Sequence, residues 1–100
     1  MYKTIGQIKE ANREAGHHFF DESTIRFFRS RIHGGVIHGR YFITSEDNFQ
    51  SDARFFTPRI AHANGDVETL GGQKYFNVFH THQEAKAQIE ATFQSGKPVV

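Results

Sequence analysis

Arginine is the side chain through which this sequence has most capacity for recognition. From Arg26 to Arg59 there are six arginines, no lysine and three acids (Glu46, Asp47 and Asp52), a local charge of +3. Guanidinium groups make planar, bidentate contacts with oxyanions and stack on aromatic faces. The stretch therefore either organises the fold through salt bridges or meets an anionic partner. Adjacent aromatics are interleaved with it: Phe27-Phe28, Tyr41-Phe42 and Phe55-Phe56, with Phe19-Phe20 before and Tyr75-Phe76 after. Aromatic and arginine side chains dominate binding hot spots, and aromatic rings can stack on bases. The candidate contact residues are Arg29, Arg31, Arg40, Tyr41, Arg54 and Arg59, with the glycine-containing stretch 34–39 as an adaptable edge.

Histidine is the second chemistry-bearing type, with seven copies. His80-x-His82 would share one face of a continuing strand, which makes these two the candidate metal ligands. Zinc needs three or four ligands and supporting hydrogen bonds. No Cys or carboxylate stands at a recognised spacing beside this pair. The expectation is no metal and no cofactor.

Other catalytic arrangements are missing from the pattern. There is no Cys for thiol chemistry. Ser30, Ser45 and Ser51 lack the flanking glycines of a nucleophile elbow. Gly34-Gly35 lacks the Lys of a phosphate-binding loop. Glu46 is expected to pair with Arg26, Arg31 or Arg59, partly buried, fixing the sheet against a short helix rather than doing catalysis. The expectation is a protein without enzymatic activity.

These side chains need elements to position them. Thr4-x-x-Gln7 is a capping-box pattern, followed by Ile5, Ile8, Ala11 and Ala15 at helical spacing and stopped by Gly16. Asp21 reads as the N-cap of a short helix from Glu22 to about Arg29, whose Phe27 and Phe28 lie on different sides and predict burial of both. Residues 33–39 hold three glycines and read as a turn or flexible loop. Tyr41-Phe42-Ile43-Thr44 and residues 53–63 read as strands, with Pro58 expected at an edge or bulge. Asn64-Gly65 reads as a two-residue hairpin turn, after which 67–70 pairs back, Gly71-Gly72 breaks the strand and 75–79 resumes it. Thr81-x-x-Glu84 opens a last helix with Ala85, Ile89 and Phe93 on one face, ended by Gly96 and Pro98.

The fold class expected is α+β: helix, short helix, a three- to four-stranded antiparallel meander, and a C-terminal helix packed on one face of the sheet. Residues 1–100 read as one domain. Each strand pair of aromatics puts one ring on each sheet face. Either the segment 17–28 covers the second face, or that face is open. Net charge of +1 is far from that of a dedicated nucleic-acid binder. No window is apolar enough to span a membrane, and no secretory leader is visible.

The element order is shared with double-stranded-RNA-binding domains. However, the turn where those domains cluster lysines carries Gln83 and Glu84 here, with the single Lys86. A broader similarity is carried by His18-Phe19-Phe20, Thr24-Ile25-Arg26-Phe27-Phe28-x-Ser30-Arg31, Tyr41-Phe42-Ile43-Thr44-Ser45-Glu46, Arg54-Phe55-Phe56-Thr57-Pro58-Arg59 and Gly65-Asp66-Val67-Glu68-Thr69-Leu70-Gly71. With these blocks, over residues 17–90, the chain resembles an uncharacterised family of small proteins from phages, plasmids and bacteria with no assigned function. It departs from that pattern at Pro58 and around residues 72–76. The resemblance implies a bacterial cytoplasmic setting. The function expected is a small binding module acting by stoichiometric contact with a host or phage protein, on the analogy of anti-CRISPR and anti-restriction inhibitors. The alternatives are RNA or DNA binding by the same patch and a histidine-based metal protein.

Overall fold

The computed structural model describes residues 1–47, 54–71 and 79–95. The element order is α1 (Ile5–Glu14), α2 (Glu22–Phe28), β1 (Arg31–Ile37), β2 (Tyr41–Asp47), β3 (Arg54–Ala61), β4 (Val67–Thr69) and α3 (His82–Ser95). The strands form one antiparallel sheet in the order β1-β2-β3-β4. The protein is α+β. Residues 48–53, 72–78 and 96–100, which include the expected break at Gly72, the strand from Tyr75 and the stop at Gly96 and Pro98, lie outside the described residues.

Both ends of the helical pattern hold as read. Thr4 caps α1 by accepting from the Gln7 amide, and Thr81 does the same for Glu84 at α3. Asp21 precedes α2 but makes no side-chain cap; its carboxylate is taken by His18 Nδ1 at 2.8 Å.

The sheet is covered on both faces. On one, Tyr41, Ile43, Ile60 and Leu70 pack with Ala85 and Ile89 of α3. On the other, Phe42 and Ala61 pack with Ile8 of α1, and Phe19 and Phe20 fold over them. The second face is thus core, and β2 is buried from Tyr41 through Glu46. Fully burying one such large apolar side chain contributes about 1.5–3 kcal/mol.

Several local expectations are corrected. The stretch 33–39 is no loose loop: it supplies most of β1, with Gly34 at φ +70° and an irregular register between His33 and Ile37. The turn with two successive positive φ values falls at His38-Gly39 (51° and 75°), the signature of a primed hairpin turn. At Asn64-Gly65 only the glycine is left-handed (φ 88°), and the Gly65 amide donates to the His62 carbonyl. That is a type I turn closed by a glycine, a longer loop than the expected two residues. Pro58 sits within β3 between β2 and β4, not on an outer strand. It is tolerated there because its amide side faces β4, whose ladder stops at Thr69; the Pro58 carbonyl accepts from Leu70 just beyond.

Gly65 also sets how α1 docks. Asn12, buried in α1, donates to the Gly65 carbonyl at 2.8 Å. A Cβ at Gly65 would meet the Ala11 carbonyl oxygen at 2.3 Å, so helix and hairpin touch backbone to backbone.

Candidate functional site

Strand alternation places Thr44 and Glu46 of β2 and Thr57 and Arg59 of β3 on the face beneath the 17–30 segment. There they form a buried polar network. Glu46 Oε2 accepts from Arg59 (3.2 Å), Thr44 (2.7 Å) and Ser30 (3.0 Å), and Oε1 accepts from Thr57 (2.6 Å). Arg59 also donates to Thr44 and Thr69, and its guanidinium lies 4.7 Å from the Phe19 ring centre. Burial pushes the Arg59 pKa down, and the neighbouring Glu46 pulls it back up. This is the structural Glu46 pair expected from the sequence, now with its partner assigned. Ser30, just after α2, ties the short helix to it.

Outside this network four arginines converge. Arg26 and Arg29 from α2, Arg31 from β1 and Arg54 from β3 line a groove of about 540 Å³ together with Ile25, Ser30 and Asp47. Arg26, Arg29 and Arg31 are exposed. Arg29 is the left-handed residue that ends α2 (φ 50°), a conformation usually left to Gly or Asn, and it pairs with Asp47 at 3.0 Å. Arg26 pairs with Glu22 one turn back. Arg54 is the most tethered, donating to the Ser45 hydroxyl and to the carbonyls of Ser45 and Arg29. Among the described residues, two acids (Glu22 and Asp47) against four arginines leave the groove cationic. On another side of α2, Phe27 projects into a separate open hollow with Ser23, Thr24 and Phe28, 69% exposed and in edge contact with Phe28.

Of the sequence candidates, the fold brings Arg29, Arg31 and Arg54 together. Arg40 stands apart, lining a different hollow with Met1, Tyr2 and His62. Tyr41 and Arg59 are 5% and 3% exposed. They are not surface residues, because β2 and β3 are inner strands with both faces covered. The stretch 34–39 is likewise away from the groove, in β1 and its turn. Arg26 and Phe27 were passed over. Phe27 was expected to be buried, but α2 has no buried residue. The signal available was α2's shortness: seven residues make two turns, too few to bury two faces.

His80 lies near Phe55, whereas His82 approaches His33 and Phe56. Among the described residues no three metal-binding side chains cluster. His33 bonds the Ser45 hydroxyl at 2.7 Å, and its pKa is lowered by burial first, then by His82, Arg54 and Arg31, against a smaller raising effect of Glu46. No helix among the described residues is long and apolar enough to cross a membrane.

Residues 4–90 match the family of unknown function DUF7447. No curated protein and no solved structure matches the chain.

Proposed function

The chain belongs to the DUF7447 family, and since that family brings no activity with it, we propose from the geometry that the protein is a non-enzymatic binding module whose groove of Arg26, Arg29, Arg31 and Arg54, together with Phe27 exposed on another side of the same helix, docks on an acidic protein surface. The observation that carries this reading is the convergence of arginines from α2, β1 and β3 on one groove. The left-handed Arg29 supports it, because an arginine stands at a position where a glycine would be easier. An exposed aromatic ring and exposed arginines on one short helix are residue types enriched at protein-binding hot spots. The motif resemblance described above supports a host or phage protein in the bacterial cytoplasm as partner, with inhibition of a defence or regulatory factor as the outcome of binding.

The test is co-purification from nuclease-treated bacterial lysate, followed by mass spectrometry and a binding titration with the retained protein. Wild type and Arg40→Glu are expected to retain it in one-to-one ratio, and Arg29→Glu/Arg31→Glu and Phe27→Ala to lose it. Equal retention by all four proteins overturns the reading. A gel shift with RNA or DNA that weakens steeply with salt and depends on the same arginines replaces it with nucleic-acid binding.

A further inference from the structure

A second concavity lies on the other side of α2, between that helix and the sheet. It measures about 260 Å³ and is lined by Phe19, Phe28 and Val67, with Thr24, Thr69 and Arg59 among its polar residues. That is just below the ~300–1,000 Å³ of ordinary small-molecule sites, so a fragment-sized occupant fits. Its chemistry is unbalanced in one direction. A guanidinium has five N–H groups. Arg59 uses three, on Thr44, Thr69 and Glu46, leaving one on each terminal nitrogen. The Thr69 hydroxyl accepts from Arg59 and keeps its own hydrogen to donate. The carboxylate that balances the charge, Glu46, already takes four donors and does not line the cleft. His18, paired with Asp21, and Ser30, bonded to Glu46, complete the lining, so the cleft offers spare donors and aromatic walls beside a guanidinium whose charge Glu46 balances.

We propose that this cleft is a binding site for a small uncharged molecule with an apolar body and a carbonyl oxygen, such as a primary amide. The carbonyl accepts from Arg59 and Thr69 while the body packs on Phe19, Phe28 and Val67. A carboxylate would have to share Arg59 with Glu46, and two like charges on one guanidinium repel. An ammonium would face the guanidinium. This site shares only Ser30 with the arginine groove and uses none of the groove's arginines, so the proposal stands or falls apart from the docking reading.

The experiment is an NMR titration of the full chain with benzamide, benzoate and benzylamine. Benzamide is expected to give saturable shifts at Phe19, Phe28, Val67 and Thr69, with intermolecular NOEs from its ring to the Val67 methyls. Benzoate and benzylamine are expected to bind at least tenfold more weakly. Thr24→Phe, which fills the cleft, is expected to abolish the benzamide shifts, and Arg29→Glu/Arg31→Glu to leave them unchanged. Absence of saturation or of the NOEs, benzoate binding as tightly as benzamide, or shifts that persist in a folded Thr24→Phe overturns the proposal. Should Thr24→Phe not fold, the wild-type NOEs decide.

Discussion

Glu46 and Arg59 are a charge pair out of water, and such pairs behave asymmetrically. Removing one partner leaves the other buried and uncompensated, which costs about 3–5 kcal/mol, whereas replacing both with apolar groups is often close to neutral. Glu46→Gln is thus expected to lower stability by about 3–5 kcal/mol in urea titration, and Glu46→Leu/Arg59→Met by much less. His33 gives a pH signature. Its folded pKa lies below 6.5, with burial the main cause, so the unfolded chain binds more protons in the window between the two values. Its contribution to stability is complete above 6.5 and is lost as pH falls through the folded value. Melting temperature is expected to drop across that window in wild type, and the drop is expected to shrink in His33→Gln. The Glu46 pair could be expected from sequence because only three acids stand among six arginines there. Its partner could not be, since that required the register pairing Thr44 with Thr57 and Glu46 with Phe55.

At the scale of elements, α2 is held by its neighbours more than by its own burial. Phe27 contributes little to the fold, and Phe27→Ala is expected to change stability by under ~0.5 kcal/mol while removing partner binding. Arg29 works the other way. A left-handed L-residue costs about 1–2 kcal/mol relative to glycine, and its exposed ion pair returns at most about 1 kcal/mol. Arg29→Gly is expected to keep or raise the melting temperature and to weaken binding, so stability and binding measured on one variant should diverge. The helices were legible because capping residues and apolar spacing agree at Thr4 and Thr81. The turns were not, because Asn64-Gly65 satisfies more than one turn type, and the backbone approach of α1 selected the single-glycine form. The glycines of β1 suggested a loop because the pairing that makes them a strand comes from β2, not from their own propensity.

Across the whole molecule, the sheet acts as a two-sided partition. α3 closes one side, and α1 with the 17–28 segment closes the other. Gly65 is where the second layer meets the sheet hairpin without any intervening side chain. Gly65→Ala combines a left-handed φ with a clash against the backbone of α1. It is expected to cost more than about 2 kcal/mol and to expose amides of both α1 and the β3–β4 turn together in hydrogen exchange. The α+β class and the order of elements could be read in advance because each element carries its own periodicity. The location of the contact surface could not. Every strand aromatic has an equal claim to exposure until the covering of both faces removes it, and among the described residues the exposed rings are then Phe27 on α2 and Phe93 on α3.

The irregular middle of β1 bears on how these molecules behave in a crowd. An outer strand with evenly spaced amides invites a neighbouring chain to extend the sheet, and flat margins of that kind seed aggregates. Here the Gly34-Gly35 step interrupts the spacing halfway along, and a charged Arg31 stands at one end. An incoming strand would find only two short, misaligned segments to pair with. The backbone of β1 thus makes this margin a poor template for sheet growth, and the arginine-lined groove is left to make contacts of another kind.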